Sequence, residues 1–212
     1  MYFYKKIALI IVAYSYAFTS RSAHVETLFA PDDRPTTRLI KEINETRHTI
    51  LAAIYYISDS NIIKALIDAH NRRVQVRIIS DEQTSNTCYS KVKLLHASGI
   101  PVFIPRSPTT PSTPATRAGF VRHRLMHDKF AILDHKIWTG SFNWTVGANV
   151  FNYENVVIIH DDSMNHAKFC NRFFAMEKQC VPYTPQVKSI MPWLDLCQAV
   201  HAPAYPELLP SL

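Results

Sequence analysis

The amino-acid sequence predicts an α/β domain in which a mixed β-sheet is sandwiched between helices. Short β-rich runs alternate with helical periodicity through most of the chain, which is typical of that architecture. One run, 49–57, is continuously apolar, as expected for a strand that helices cover on both faces. Two further β-rich runs flank a turn-like segment at 134–136 and predict a hairpin, hence antiparallel neighbours in the sheet.

Three helices are expected in the first half of the chain, from apolar residues at helical spacing. The first covers 35–45. The second carries its apolar residues over 62–67, and either Asp59 or Ser60 can cap its N-terminus. The third covers about 89–98 and ends at a glycine. The runs between the helices predict strands at 25–29, 49–57, 74–79 and 101–104.

The second half of the chain predicts the hairpin and a final strand and helix. The run 127–133 is rich in β-formers and predicts a strand, with 137–139 as its return partner. One more strand is expected at 155–159, followed by a helix at 163–178. Segment 105–117 contains four prolines and no periodicity, so it predicts a long surface loop before the hairpin.

The first 22 residues predict an export signal. Two lysines precede an apolar stretch at 7–18, which suits the core of a signal but is too short to span a bilayer. A small–x–small site at 20–22 gives a mature periplasmic or secreted chain; the alternative is an uncleaved anchor. Cleavage lowers the formal net charge from +6 to +3, because the segment holds three basic and no acidic residues. The catalytic domain is then 23–180, with a Pro-rich tail over 181–212.

A six-residue pattern in the second half carries the chemistry. His127 and Lys129 lie two apart on the predicted strand, so their side chains emerge on one face, about 6.6 Å apart along the chain. The imidazole can act there as nucleophile or as general acid and base, and the ammonium stabilises negative oxygens on phosphorus. The return strand brings Gly140, where backbone can approach a ligand, and two further donors. The pattern H-x-K-x4-D-x5-G-S-x-N consists of His127, Lys129, Asp134, Gly140, Ser141 and Asn143.

This pattern resembles the HKD motif of the phospholipase D superfamily. The chain is similar in particular to the single-motif branch, which comprises bacterial secreted endonucleases and the zucchini-type mitochondrial nuclease/cardiolipin hydrolase. The likeness covers about 25–180 and includes a glutamate soon after the G-S-x-N segment, matched here by Glu154. It implies a phospholipase D-like fold and a transiently phosphorylated histidine. The implied roles are phosphorylation of His127, phosphate binding by Lys129, Ser141 and Asn143, and orientation of histidines by Asp134 and Glu154.

Each of these residues has a structural alternative when it is taken alone. A single histidine in a strand is usually structural, Ser141 can be a turn residue, and Glu154 can be a solvated charge at a strand start. Asp134 lies at a strand end, where aspartate is common in turns, so its role is expected to be indirect. The complete pattern favours the catalytic interpretation.

A basic stretch lies just upstream of the pattern. Arg117 ends the long loop, and Arg122, His123 and Arg124 follow it. We expect these cations to form a rim that follows the phosphates of a nucleic acid. The alternative is an exposed loop whose charge is incidental.

These features predict a metal-independent phosphodiesterase, foremost a nonspecific endonuclease acting on DNA, with RNA as a further substrate. The sequence has no Gly-rich phosphate loop and no metal-ligand motif, so neither a cofactor nor a metal is expected. One rival is a phospholipase or cardiolipin hydrolase, which should show an apolar rim or an amphipathic helix near the site. The other rival is a catalytically silent nucleic-acid-binding module, which the complete motif disfavours.

The number of motifs predicts a homodimer. Forming a phosphohistidine requires a second group to protonate the departing oxygen, and this chain has one motif. We expect the second His127 to come from another copy across a two-fold axis, which gives a composite active site. The alternative is a monomer that uses His123 or His135.

Four cysteines, Cys88, Cys170, Cys180 and Cys197, permit disulfides in an oxidising compartment, with three possible connectivities. Of these, a Cys180–Cys197 bond is slightly preferred, because it would hold the tail against the end of the last helix.

Overall fold

The structure, a computed structural model, describes residues 23–106 and 125–185. Its strands are β1 (His24–Ala30), β2 (Thr49–Ile54), β3 (Gln75–Ser80), β4 (Val102–Pro105), β5 (Lys129–Leu133), β6 (Lys136–Gly140), β7 (Glu154–His160) and β8 (Cys180–Pro182). They form one eight-stranded sheet in the order β1-β7-β6-β5-β2-β3-β4-β8. β2 pairs parallel with β3, and β3 with β4, whereas the other neighbours are antiparallel. The predicted mixed sheet is confirmed.

Helices cover both faces of this sheet, as the α/β prediction requires. Their bounds are α1 (Pro35–Glu45), α2 (Ser60–Asn71), α3 (Glu82–Ser85), α4 (Val92–Ala97), α5 (Val146–Val150) and α6 (Ser163–Glu177). α1, α2 and α4 contribute to one core, and α6 contributes to a second core on the opposite face. The sandwich is therefore asymmetric, with most of the helices on one side.

The central strand β2 is buried on both faces, in agreement with its continuous apolar run. Ile50, Ala52 and Ile54 belong to the core that α1 and α2 cover. Leu51 and Ala53 belong to the core that α6 covers. The alternation follows from the period of two along a strand. β2 is therefore an interior strand of the sheet, with β5 on one side and β3 on the other.

Several predicted bounds differ from the observed ones, and pairing explains the main differences. β2 ends at Ile54 rather than at 57, because Ile57 forms an isolated bridge with Trp144 instead. β5 begins at Lys129, so His127 precedes the strand that was expected to contain it. The predicted helix at 89–98 is reduced to α4. α3, α5 and β8 were not predicted, since elements of three to five residues carry little periodicity.

Asp59, rather than Ser60, caps α2. Its side chain accepts a hydrogen bond from the main-chain N–H of Asn61 at 2.8 Å, and α2 itself begins at Ser60. This geometry is the usual one for an aspartate at a helix N-cap.

Some predicted features lie outside the described residues. They are the export signal at 1–22, the basic residues Arg117, Arg122 and Arg124, and most of the tail. The ordered fold passes the expected boundary at 180, because β8 pairs with β4 and Tyr183 is buried. Cys88, Cys170 and Cys180 are free thiols here, while Cys197 lies outside the described part, so a Cys180–Cys197 bond stays a prediction. None of the helices in 23–106 and 125–185 has the length and apolar character needed to cross a bilayer.

Candidate active site

The predicted site residues meet at the edge of the sheet where β2 ends. β5 runs antiparallel to β2, so Lys129 pairs with Ile54, the last residue of β2. β6 runs antiparallel to β5, and continuing their register sets Lys129 opposite Gly140. The beginning of β5 and the end of β6 therefore share one edge. His127, Lys129 and the G-S-x-N segment are brought together there.

The imidazole of His127 and the ammonium of Lys129 are in contact. Lys129 Nζ lies 3.3 Å from His127 Nδ1 and donates a hydrogen bond to the His127 carbonyl at 2.8 Å. His127 is exposed, whereas Lys129 is partly buried. Burial lowers the pKa of Lys129, and the carboxylates of Glu154 and Asp128 act in the opposite direction. The pair thus places an imidazole and an ammonium side by side.

Ser141 and Glu154 join β6 to β7 beside this pair. The Ser141 hydroxyl donates to Glu154 Oε2 at 2.5 Å and accepts from the main-chain N–H of Asn155 at 3.0 Å. The other carboxylate oxygen, Glu154 Oε1, accepts from Asn152 Nδ2 at 3.1 Å. Glu154 is therefore held in a fixed orientation within reach of the Lys129 charge.

Gly140 is required by the approach of two strands rather than of a ligand. Its φ is +149°, and a Cβ built on it would lie 2.1 Å from the carbonyl oxygen of Asn155 on β7. The expectation that this glycine lets backbone approach a ligand is therefore corrected, because the space is filled by β7. The same close approach lets the Ser141 N–H donate to Asn155 O at 3.0 Å.

Asn143 lies in a segment that is clamped to the loop after β2. The next residue, Trp144, donates its N–H to Tyr56 O at 3.0 Å and accepts from Ser58 N at 2.9 Å. The side-chain oxygen of Asn143 is buried and has no hydrogen-bond partner within the described residues. A buried amide oxygen without a partner is costly unless a ligand or water satisfies it.

Asp134 lies away from this site, which corrects the expectation that its carboxylate orients a histidine; its main-chain oxygen, not its carboxylate, contacts an imidazole, that of His166, at 2.8 Å. Its carboxylate accepts main-chain N–H groups of Arg47, His48 and Thr49 at 2.8, 3.0 and 2.9 Å. The six-residue strand β2 separates Thr49 from the His127 end of the sheet, a distance of about 20 Å. Burial acts to raise the pKa of Asp134, but the three backbone donors outweigh it and lower the pKa. Asp134 holds the β5–β6 turn against the start of β2.

His135 lies in that same turn, at the far end of β5 from His127. Its ring faces His166, with 6.4 Å between the ring centroids. His135 is therefore remote from the site, which disfavours it as the second histidine of a monomeric mechanism. The other alternative, His123, lies outside the described residues.

Two residues at the site were missed by sequence reasoning. Tyr55 directly follows β2, and its ring packs on the imidazole of His127 with 4.6 Å between centroids. Asp81 directly follows β3; it is buried, and its Oδ2 accepts the N–H of Met126 at 3.2 Å. Both follow the carboxyl ends of parallel strands, where α/β proteins commonly bind ligands. The position directly after a parallel strand was the signal from which both residues could have been found in the sequence. Among residues 23–106 and 125–185, no group of three or more His, Cys, Asp or Glu side chains is arranged to hold a metal ion.

Comparison with known proteins agrees with this fold. The chain matches the family model described as "Cardiolipin synthase, PLD-like domain" over residues 39–176. It is 34% identical over 161 residues to a phospholipase D of Rickettsia prowazekii, covering 76% of this chain and 71% of that protein. It is 29% identical over 165 residues to the mitochondrial cardiolipin hydrolase of Chlamydomonas reinhardtii, covering 66% of this chain and 67% of that protein. The solved structure of the phospholipase D family member Nuc from Salmonella typhimurium has a TM-score of 0.63 and 26% identity, covering 76% of this chain and 99% of Nuc.

The family match covers more than half of the chain and spans the elements that form the site, from α1 to α6. The mixed sheet and its flanking helices agree with the solved relative over nearly all of that relative's length. The chain therefore belongs to the phospholipase D superfamily and is a phosphodiester hydrolase of that superfamily.

Proposed function

We propose that this protein hydrolyses phosphodiesters without a metal, through a phosphohistidine on His127, and that it is foremost a nonspecific endonuclease. The observation that carries the proposal is the exposed His127 imidazole, 3.3 Å from the ammonium of Lys129 at an open edge of the sheet. DNA is the first substrate and RNA the second. The resemblance to bacterial secreted endonucleases and the basic residues Arg117, Arg122 and Arg124 support nucleic acid.

The reaction proceeds in two displacements on phosphorus. An unprotonated ring nitrogen of His127 forms an N–P bond while the P–O bond to the leaving group breaks, and a second imidazole gives a proton to the departing oxygen. Water then attacks phosphorus and gives a proton to the second imidazole, the N–P bond breaks, and the phosphomonoester leaves with both histidines regenerated. Lys129 stabilises the charge on the non-bridging oxygens, with the amide of Asn143 as a further phosphate contact. Ser141 contributes its hydroxyl once it is turned from Glu154.

The second imidazole, in this proposal, is His127 of another copy of the chain. His135 is at the wrong end of β5, and the described partners of Glu154 are Ser141 and Asn152 of its own chain. We assign Glu154 to orientation of the histidine that completes the site. A two-fold axis beside this edge would place two copies of each residue around one phosphate.

A lipid phosphodiesterase is the second candidate, and one feature of the surface favours it. The segment from the G-S-x-N motif to Glu154 contains no charged residue, and several large side chains on it are exposed. An apolar rim near the site is what a lipid enzyme requires. We call this rim the apolar face; it consists of Val146, Val150, Phe151 and Tyr153.

One assay separates the two candidates. The purified protein is incubated in EDTA with plasmid DNA, single-stranded DNA, RNA and cardiolipin vesicles, with His127→Asn as the inactive control. Cleavage of nucleic acid with intact lipid supports the endonuclease, and the reverse result supports the lipid enzyme. If neither substrate is cleaved by wild type above the His127→Asn control, both proposals are contradicted.

Substitutions on the apolar face test separately whether this face contacts lipid. Phe151 is 71% exposed and Tyr153 is 95% exposed, so Phe151→Ser with Tyr153→Ser should leave the fold intact. If the apolar face contacts lipid, this variant loses vesicle binding but keeps its oligomeric state. If the apolar face instead joins two copies, the variant dissociates, and the support for a lipid substrate is withdrawn.

A further inference from the structure

Tyr55 lies at the centre of the candidate site, although it belongs to no part of the motif. It is the first residue after β2, at the edge where β5 begins and β6 ends. Its main-chain N–H donates to Asp128 O at 3.0 Å, and its carbonyl accepts from the Thr84 hydroxyl. Asp128 is the residue between His127 and Lys129. The main chain of Tyr55 is therefore held by two hydrogen bonds, one of them to Asp128 within the motif segment.

The ring of Tyr55 contacts both reactive side chains. Its centroid is 4.6 Å from that of the His127 imidazole, with 57° between the planes, and 5.2 Å from Lys129 Nζ. The first distance lies within the range in which aromatic rings attract each other. The second lies within the range in which an ammonium is attracted to an aromatic face. One rigid ring thus restricts an imidazole and an ammonium at the same time.

We propose that Tyr55 is a positioning residue whose aromatic face holds His127 and Lys129 in the arrangement that reacts with one phosphate. This inference rests on the proposed function of His127. His127 is exposed, so its ring has few other neighbours to restrict it. A catalytic group that is misplaced by about 1 Å can lose up to about 100-fold in rate. The hydroxyl of Tyr55 has no part in this role, which depends on the ring alone.

The ring also keeps water from one side of the Lys129 ammonium. Burial lowers the pKa of Lys129, against the carboxylates of Glu154 on β7 and Asp128, the latter paired with Arg172 on α6 at 3.0 Å. Removing the ring would relieve some of this burial but would also remove the attraction of the ammonium to the aromatic face, so the two effects on the pKa of Lys129 oppose each other.

Three variants test the inference with a substrate that carries neither base nor lipid. We would measure kcat and KM for bis(p-nitrophenyl) phosphate in EDTA across the pH range, for Tyr55→Phe, Tyr55→Leu and Tyr55→Met. Tyr56→Leu is the matched control, because the Tyr56 hydroxyl contacts Thr87 and its ring contacts no motif residue among the described contacts. Melting temperatures establish that each variant is folded. If Tyr55→Leu is unfolded, Tyr55→Met serves as the variant without the ring.

The expected result is a split between the variants. Tyr55→Phe keeps the wild-type kcat, whereas Tyr55→Leu and Tyr55→Met lose about 10- to 100-fold in kcat with little change in KM. A folded Tyr55→Leu or Tyr55→Met with wild-type kcat overturns the inference, as does a Tyr55→Phe that is as impaired as they are. If His127→Asn is as active as wild type, the proposed function fails instead. If His127→Asn is inactive and the two ring-deleted variants are normal, the role of Tyr55 alone fails.

Discussion

The carboxylate of Asp81 accepts the main-chain N–H of Met126 from 3.2 Å away, and so ties the end of β3 to the residue before His127. The same side chain caps α3 by accepting from Gln83 N and Thr84 N at 3.0 and 3.3 Å. Asp81 is buried. One carboxylate thus connects the end of β3 and the start of α3 to the residue before His127.

Replacement of Asp81 should therefore affect both stability and turnover. Asp81→Ala leaves buried N–H groups without an acceptor, which costs about 1–3 kcal/mol of the free energy of unfolding. It also releases Met126, so kcat should fall even where the variant is folded. Asp81→Asn keeps one acceptor oxygen and should be the milder change in both respects. Urea unfolding and initial rates check this; equal rates for all three proteins would show that Asp81 has no influence on His127.

Asp134→Ala should reduce stability and leave turnover nearly unchanged. Three main-chain N–H groups of residues 47–49 lose a charged acceptor, a cost of about 1–3 kcal/mol. The folded-state pKa of Asp134 is lowered, so its stabilising contribution is present above the unfolded pKa of about 4 and is lost as the pH falls through the folded value. The stability difference from wild type should shrink below about pH 4. A large loss of kcat at pH 7 with normal stability would restore Asp134 to the active site.

Replacement of Gly140 and of Gly147 by alanine should have different effects on stability, because a Cβ has no room at Gly140 and open space at Gly147. Gly140→Ala places a Cβ 2.1 Å from Asn155 O at φ +149°, so β6 and β7 must separate and the Ser141–Glu154 hydrogen bond must change. We expect a loss of more than about 1 kcal/mol and of most activity. Gly147→Ala, with nothing within 4 Å and in α5, should be neutral or slightly stabilising. Thermal unfolding of both variants measures this difference. Similar melting temperatures would contradict the explanation that Gly140 is required by the close approach of β7.

The composite site can be tested by mixing subunits. Light scattering should give a dimer, and co-refolding wild type with increasing amounts of His127→Asn should produce mixed dimers with one motif histidine. If one site needs two histidines, activity should follow the square of the wild-type fraction. Activity that falls in simple proportion to the wild-type fraction would mean that each chain is sufficient by itself, as would full activity of a monomer.

Much of the fold was predictable because periodicity in this chain is strong where elements are long. The apolar run of β2 predicted burial on both faces, and α1 was predicted with the bounds Pro35–Glu45 that the structure shows. The failures have a common origin in tertiary contacts. β2 stops early because Ile57 bridges Trp144, and β8 exists because β4 offers an edge to 180–182. Neither partner is visible in local sequence.

In the candidate site, too, local sequence predicted some residues, whereas others depend on tertiary contacts. The motif spacing predicted that His127, Lys129 and Ser141 would lie together, since antiparallel pairing of β5 and β6 brings their ends to one edge. Spacing could not reveal Tyr55 and Asp81, which come from the parallel half of the sheet and reach the site only by folding. It also misassigned Asp134, because a motif letter does not distinguish a carboxylate that holds a turn from one that contacts an imidazole.

Metal independence follows from the assigned roles. If His127 supplies the nucleophile and Lys129 the positive charge, a divalent ion has no task in the reaction. Hydrolysis should therefore continue in excess EDTA at the rate measured without it, whereas enzymes that use two metal ions stop under those conditions. Loss of activity in EDTA that magnesium restores would exclude the histidine mechanism proposed here.

The covalent intermediate is the most direct test of the account. Wild-type protein in EDTA is mixed with bis(p-nitrophenyl) phosphate, quenched in alkali during turnover, and digested for mass spectrometry, with His127→Asn treated in parallel. The account predicts a p-nitrophenylphosphoryl group on the peptide that contains His127, at the imidazole, and no adduct in the variant. Steady turnover in EDTA with the adduct on another residue, or undiminished turnover by His127→Asn, would contradict it.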